Sequence, residues 1–248
     1  MDDTGVLCVI PARYGSTRLP VKPLVEVAGL PLVCWVQRAA ERSGAFAEVL
    51  VATDDARIKQ AVERHGGRAV MTSPDHPRGT DRVWEAARSR PQRYVVNLQG
   101  DEPEVPESLL RAFVAELRVR VGDTGMLTCV SRAPRSQIAS PNVVKVVLNS
   151  RDEALYFSRA AIPHDAAGGA ATFVKHTGIY GFTRAGLERF CSYPPGVLEQ
   201  IEKLEQLRAL ENGMTIHCLF HEHEAAGIDT PEDLEAFRRR VAGRGAPR

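Results

Sequence analysis

Apolar and polar positions alternate along this chain in two rhythms. Val6–Ile10, Glu48–Thr53, Arg68–Thr72 and Tyr94–Leu98 are short runs rich in β-branched residues and predict strands. Between them lie amphipathic segments, Pro31–Ser43, Asp54–His65, Thr80–Arg90 and Pro106–Val121, which predict helices. Pro31 suits a first helical turn, and the acids opening Asp54–His65 complement the positive end of a helix dipole. Met126–Ser131 and Val143–Leu148 follow as further strands. Alternation of this kind predicts βαβ units. The expected fold class is α/β, with a mostly parallel (mixed) sheet and helices on both faces.

The later part is less regular. Ile179–Phe182 and Thr215–His221 read as strands. Leu198–Glu211 reads as one strong helix: Leu198, Ile201, Leu204, Leu207 and Leu210 form a core stripe, with Glu202, Glu205 and Gln206 on a solvated side. Thr230-Pro-Glu-Asp predicts a helix start, with Thr as cap, Pro first and acids in the first turn. Asp165–Thr172 reads as a mobile Gly/Ala-rich loop, and the tail from Gly243 as disordered. No internal repeat is present, and the chain is expected to form a single domain over residues 1–248.

Length and charge narrow the function. A chain of 248 residues can bury a core without disulfide or metal staples. A formal net charge of +1 gives no broad surface for nucleic acid. Cys8, Cys34, Cys129, Cys191 and Cys218 are scattered without a C-x-x-C pair, which predicts buried thiols in a reducing compartment. No signal segment and no run long enough for a membrane span is seen, so a cytoplasmic enzyme is expected, with no membrane partner.

Three places could carry chemistry. Ligands bind outside the carboxyl ends of strands in open parallel sheets, and the first strand ends at Pro11. The loop Ala12–Leu24 that follows holds Arg13, Arg18 and Lys22 among Gly15, Pro20 and Pro23. Planar forks and a point charge at this spacing after a strand suit a polyphosphate; the alternative is a solvated loop whose cations make surface ion pairs. The strand before Gly100 is followed at once by Asp101, which can take a hard divalent cation together with phosphate oxygens, or cap a turn. In Gly227-Ile-Asp-Thr-Pro, Thr230 already explains the helix start, so Asp229 needs another role: a charge near the dipole, or a second metal carboxylate. His217, Cys218, His221 and His223 superficially resemble a metal cluster, but no second cluster completes a zinc site. No Walker lysine loop, G-x-G-x-x-G or G-x-S-x-G occurs, which removes the main support for P-loop, Rossmann and α/β-hydrolase readings.

The residues then carry a family likeness. P-A-R-x-x-S-T-R-L-P-x-K-P-L, H-x-x-G-T-D-R, N-L-Q-G-D-E-P, Y-F-S-R-A-x-I-P, H-x-G-I-Y-G-F, L-E-Q-L-R and G-I-D-T-P-E-D-L occur in that order between about Val6 and Arg238. Together they resemble the 3-deoxy-manno-octulosonate (Kdo) cytidylyltransferase family, whose fold is nucleotide-diphospho-sugar transferase-like. The resemblance implies transfer of CMP from CTP to Kdo with release of pyrophosphate, dependence on Mg²⁺, a place in lipopolysaccharide biosynthesis and a homodimer. It implies that Arg13, Arg18 and Lys22 hold the CTP phosphates, and that Asp101 and Asp229 hold Mg²⁺. Pro11, Ala12, Gly79, Thr80 and Arg82 fall where the family binds cytidine. Gln99, Arg159, His176, Tyr180, Glu205 and Gln206 fall where it holds the sugar acid.

Two segments depart from the family pattern. After Ile162-Pro the chain reads His164-Asp-Ala-Ala-Gly-Gly, where an aromatic and an Arg-Asp pair are common. Pro77 and Arg78 replace a common Gln-Ser pair. The nucleotide half matches better than the acceptor half. The alternative is the same transfer to another acid: an amino-Kdo, another ulosonic acid or a small phosphonate acid, which an extra cation at Arg78 would suit.

Overall fold

The computed structural model describes residues 5–15, 19–122, 125–166, 168, 172–222 and 227–243. The chain forms two compact units, residues 1–114 with 225–248, and residues 115–224.

The first unit is built on parallel strands. Strands β1 (Val6–Ala12), β4 (Glu48–Thr53), β5 (Ala69–Met71) and β6 (Tyr94–Asn97) lie in the order β6-β1-β4-β5. Two minimal strands, β2 (Glu26–Val27) and β3 (Leu30–Pro31), form an antiparallel pair before helix α1 (Leu32–Ser43). Helices α2 (Ala56–Arg64) and α3 (Gly79–Ala87) follow, then the start of α4 (Glu107–Arg120). A C-terminal helix, Pro231–Val241, completes the unit.

Strand β1 is flanked on both sides. Leu7 to Ala12 pair with Glu48 to Thr53, and Val6 to Val9 with Tyr94 to Asn97. Val6 through Ile10 are fully buried, which is why this strand is an unbroken apolar run rather than an alternating one. Because the strands are parallel, Ala12, Thr53, Met71 and Asn97 all end at one edge. Side-chain caps set two of the helix starts. Asp55 Oδ1 accepts the Arg57 amide at 2.8 Å, so α2 begins at Ala56 rather than Asp54. Thr230 and Asp233 exchange hydrogen bonds of 3.2 and 2.9 Å in a capping box. The C-terminal helix is packed through Phe237, edge-on to Trp35 at 5.1 Å between centroids.

The second unit is mixed. It holds β7 (Met126–Ala133), α5 (Arg135–Ile138), β8 (Lys145–Leu148), β9 (Ala154–Ser158), β10 (Phe173–Thr183), α6 (Arg184–Ser192), α7 (Val197–Glu202), α8 (Leu207–Glu211) and β11 (Ile216–Phe220). β11 runs parallel to β7; β10 is antiparallel to β7 and β8, and β8 to β9. Strand β9, helix α6 and the first half of β10 go beyond the elements predicted from sequence.

The predicted single helix Leu198–Glu211 is a correction. It is two short helices, broken at Lys203, which adopts a left-handed φ of 56°. Leu204 and Leu207 are buried as expected, but Ile201 is 72% exposed. The supposed solvated side is occupied instead: Gln206 is buried, and Glu202 accepts from the Ser158 hydroxyl at 2.5 Å and the Arg159 amide at 2.9 Å. The physical reason is a buried ion pair. Arg208 Nε and Nη2 each meet a Glu199 oxygen at 2.9 Å, a fork that requires α8 to fold back on α7. Half of the predicted mobile loop, and almost all of the predicted disordered tail, lie outside the described residues.

Candidate active site

At the carboxyl edge of the first unit's strands is a cleft of about 320 Å³. Pro11 and Ala12 line it where β1 ends, and Gly79 and Arg82 line it from the start of α3. Gly100 lies close against β1: a Cβ there would sit 3.2 Å from the Pro11 carbonyl oxygen, tighter than ordinary contact. Of the residues predicted to hold nucleotide or metal, Pro11, Ala12, Arg13, Lys22, Gly79, Arg82, Asp101 and Asp229 line this one cleft, and so does Gln99. Arg18 lies outside the described residues.

The centre of the cleft is an ionic triad. Lys22 Nζ lies 2.9 Å from Asp101 Oδ2 and 2.9 Å from Asp229 Oδ1. Backbone chemistry brings these residues together from distant parts of the chain. The Ile228 amide donates to the Asp101 carbonyl at 2.9 Å, which places Asp229 beside Asp101. Asp233 takes the Asp229 and Thr230 amides at 3.0 and 2.9 Å, fixing the turn that presents the Asp229 carboxylate. Lys22 opens a single 3₁₀ turn, and Val21 before it sits at φ 56°, a left-handed conformation costly for a β-branched residue. Strain of about 1–3 kcal/mol at such a residue persists only where the surroundings impose it, and here it aims the lysine.

Two further networks shape the walls. Arg82 is nearly fully buried, with Nη2 on Asp54 Oδ2 at 2.7 Å and Nη1 on the Thr72 hydroxyl, so its guanidinium is fixed. Thr80, predicted to bind cytidine, is buried and is not among the residues that line the cleft; its hydroxyl accepts from Asn97 Nδ2 at 3.0 Å, and Gln99 Nε2 donates to Asn97 Oδ1 at 3.3 Å. His76 Nε2 is 2.5 Å from Glu85 Oε2 at the rim. The Ser73 amide, then His76, hold the Glu85 carboxyl below its ordinary range.

The remaining sugar-acid candidates, Arg159, His176, Tyr180, Glu205 and Gln206, belong to the second unit. A bulge in β10 between Thr177 and Tyr180 breaks the register with β7. The Thr128 hydroxyl fills the break, donating to Ile179 O at 2.9 Å and meeting His176 Nε2 at 2.9 Å. With the hydroxyl proton on Ile179, His176 Nε2–H is the donor to Thr128 and Nδ1 is the ring's acceptor. His176 is enclosed by Phe157 and Tyr180, and burial pushes its pKa down to about 3, so it is neutral at pH 7. Tyr180 donates to Gln206 Oε1 at 3.2 Å. Gln206 Nε2 is buried with no protein partner, a donor of the kind that a bound ligand satisfies. Arg159 uses Nε on Glu202 O at 2.9 Å and Nη1 on Pro141 O at 2.8 Å. Glu205 lies in the turn between α7 and α8, where its carbonyl accepts the Arg208 amide at 3.1 Å.

Sequence reasoning missed the residues that hold the site in place. Asn97 and Arg208 stand inside the motifs N-L-Q-G-D-E-P and L-E-Q-L-R but received no role. Lys145 is a lone cation in an apolar strand; it is fully buried, and its ammonium donates to Ser140 O, Val143 O and Arg159 O. Among the described residues no set of three His, Cys, Asp or Glu side chains is placed to hold a metal ion. Cys218 is buried, which raises its thiol pKa to about 12, and His223 lies outside the described residues. The two carboxylates on Lys22 do fit a divalent cation of the magnesium type, which needs only one or two protein carboxylates when phosphates and water supply the rest. They already converge on one positive charge.

A family model described as cytidylyltransferase matches residues 7–216. A 3-deoxy-manno-octulosonate cytidylyltransferase of Syntrophobacter fumaroxidans is 44% identical over 246 residues, covering 93% of this chain and 94% of that protein. One of Anaeromyxobacter dehalogenans is 46% identical over 241 residues, covering 96% and 98%. A solved structure of CMP:2-keto-3-deoxy-manno-octonic acid synthetase complexed with CTP superposes with a TM-score of 0.92 at 39% identity, covering 97% of this chain and 99% of that one. A 4-diphosphocytidyl-2C-methyl-D-erythritol synthase of Anaerococcus prevotii, 16% identical with a TM-score of 0.64, shares the fold.

Proposed function

The chain belongs to the 3-deoxy-manno-octulosonate cytidylyltransferase family, and from that premise we propose that it transfers CMP from CTP to the anomeric hydroxyl of Kdo and releases pyrophosphate. The observation that carries the reading is the convergence of Lys22, Asp101 and Asp229 in a cleft at the end of β1. Transfers of this type need positioning and charge stabilisation more than covalent help. Arg13, Arg18 and Lys22 supply positive charge for the triphosphate, and Lys22 neutralises the departing pyrophosphate. Pro11, Ala12, Gly79 and the clamped Arg82 receive the cytidine, with the buried Thr80 supporting them. Asp101 and Asp229 hold Mg²⁺, which when bound lowers the acceptor hydroxyl's pKa and screens phosphate charge. Gln99, Arg159, neutral His176, Tyr180, Glu205 and Gln206 hold the sugar acid; the unpartnered Gln206 amide supports this assignment. Homodimeric assembly, a cytoplasmic location and a place in lipopolysaccharide biosynthesis belong to the same reading. Among the described residues no helix is long and apolar enough to cross a membrane.

The test is pyrophosphate release from CTP and Mg²⁺ against a panel of acids including Kdo, an amino-Kdo and a small phosphonate acid. Release that requires both CTP and Kdo is expected. Release with UTP as readily, or with a phosphonate acid far better than with Kdo, would overturn the assignment.

A further inference from the structure

We propose that Arg57, a surface residue outside the cleft, is a positioning residue for Arg13. The proposal rests on the nucleotide-site reading above and extends it to a side chain that is not part of the cleft lining. The ladder of β1 ends at Ala12, opposite Thr53. Beyond it, side-chain contacts must fix where Arg13 points, and Arg13 itself lines the cleft.

The next residue, Tyr14, provides such a contact. The Arg57 guanidinium carbon lies 3.6 Å from the centre of the Tyr14 ring. That distance places a cation directly over the ring face. The guanidinium is in turn held rigidly. Its Nε and Nη2 meet the two Asp55 oxygens at 2.9 and 2.6 Å. Asp55 is anchored by the Arg57 backbone amide at 2.8 Å as the cap of α2. Helix, carboxylate, guanidinium and ring therefore form one stack, running from the rigid start of α2 to the residue after Arg13.

The arrangement serves little purpose as a stability device. The Arg57 side chain is 60% exposed, and an exposed ion pair between near neighbours contributes little to folding. Its consequence is geometric. With the peptide plane between Arg13 and Tyr14 rigid, a fixed Tyr14 restricts the directions open to Arg13. An arginine held in place before a triphosphate arrives loses less freedom on binding it.

The experiment is steady-state kinetics of cytidylyl transfer with Arg57→Ala, Tyr14→Ala, Tyr14→Phe, Arg13→Ala and the Arg13→Ala/Arg57→Ala pair. Arg57→Ala keeps the Asp55 cap, because that bond uses the backbone amide. It should raise the KM for CTP about 2- to 5-fold, the span a single exposed cation–ring contact supports, and leave the KM for the acid unchanged. Tyr14→Ala should act alike, and Tyr14→Phe, which keeps the ring, should not. In the Arg13→Ala background, Arg57→Ala should have no further effect. An unchanged KM for CTP, a parallel rise for both substrates, or an undiminished effect without Arg13 overturns the proposal alone. A wild-type protein that turns over no CTP overturns its premise, and the proposal with it.

Discussion

Replacing Lys22 with methionine tests the ionic triad directly. The ammonium lies 2.9 Å from each of two carboxylates, so the two nearest oxygens are within about 6 Å of each other. With an effective dielectric of about 20, each Lys–Asp contact is worth about 6 kcal/mol before desolvation, and the bare carboxylates would repel by about 3 kcal/mol. Lys22 is only 13% exposed, while Asp101 and Asp229 are 31% and 40% exposed, so solvent screens much of this. We expect a net loss of about 3 kcal/mol for Lys22→Met in metal-free buffer, a fall of about 6–12 °C in melting temperature for a chain of this size. Mg²⁺ should then restore the variant's melting temperature much more than it raises that of the wild type, because it re-supplies positive charge to carboxylates that have lost theirs. With CTP and Kdo, kcat should fall roughly 10²- to 10³-fold, as for loss of one charge-stabilising donor. The assay is thermal melting in EDTA and across a Mg²⁺ titration, alongside pyrophosphate release. A variant that melts like wild type in EDTA, or that gains no more from Mg²⁺, would refute the view that Lys22 neutralises these two carboxylates.

Other expectations follow from the second unit. His176 has a pKa of about 3 in the folded chain against an ordinary 6.5, so between those values the unfolded chain binds more protons. Stability from this group is present above pH 6.5 and lost as pH falls toward 3; melting curves should show a steeper acid loss for wild type than for His176→Gln. Arg208→Met leaves Glu199 charged and buried, and should cost about 3–5 kcal/mol in urea unfolding, most of it recovered by Glu199→Leu/Arg208→Met. Thr128→Val strands the Ile179 carbonyl and unseats His176; about 1–3 kcal/mol of stability should be lost, and the KM for Kdo should rise while that for CTP holds.

Much of this protein is written locally. Val6–Ile10 is an unbroken apolar run because the strand is flanked on both sides, and that pattern reads directly as a buried parallel strand. Thr230-Pro-Glu-Asp fixes a helix start through hydrogen bonds within a few residues. The motifs around Arg13, Asp101 and Asp229 also identify the family, because each is a short contiguous string.

What the sequence could not decide depends on partners far apart in the chain. Asp229 becomes the neighbour of Asp101 through one backbone hydrogen bond from Ile228, and no local pattern announces it. Lys203 follows the same logic: periodicity favours one continuous helix, but the buried Arg208–Glu199 fork is satisfied only if the chain turns back there. Periodicity reports which faces avoid water. It does not report which buried polar groups must find each other, and an unpaired buried charge costs more than a broken helix, so the tertiary structure prevails over the local rhythm.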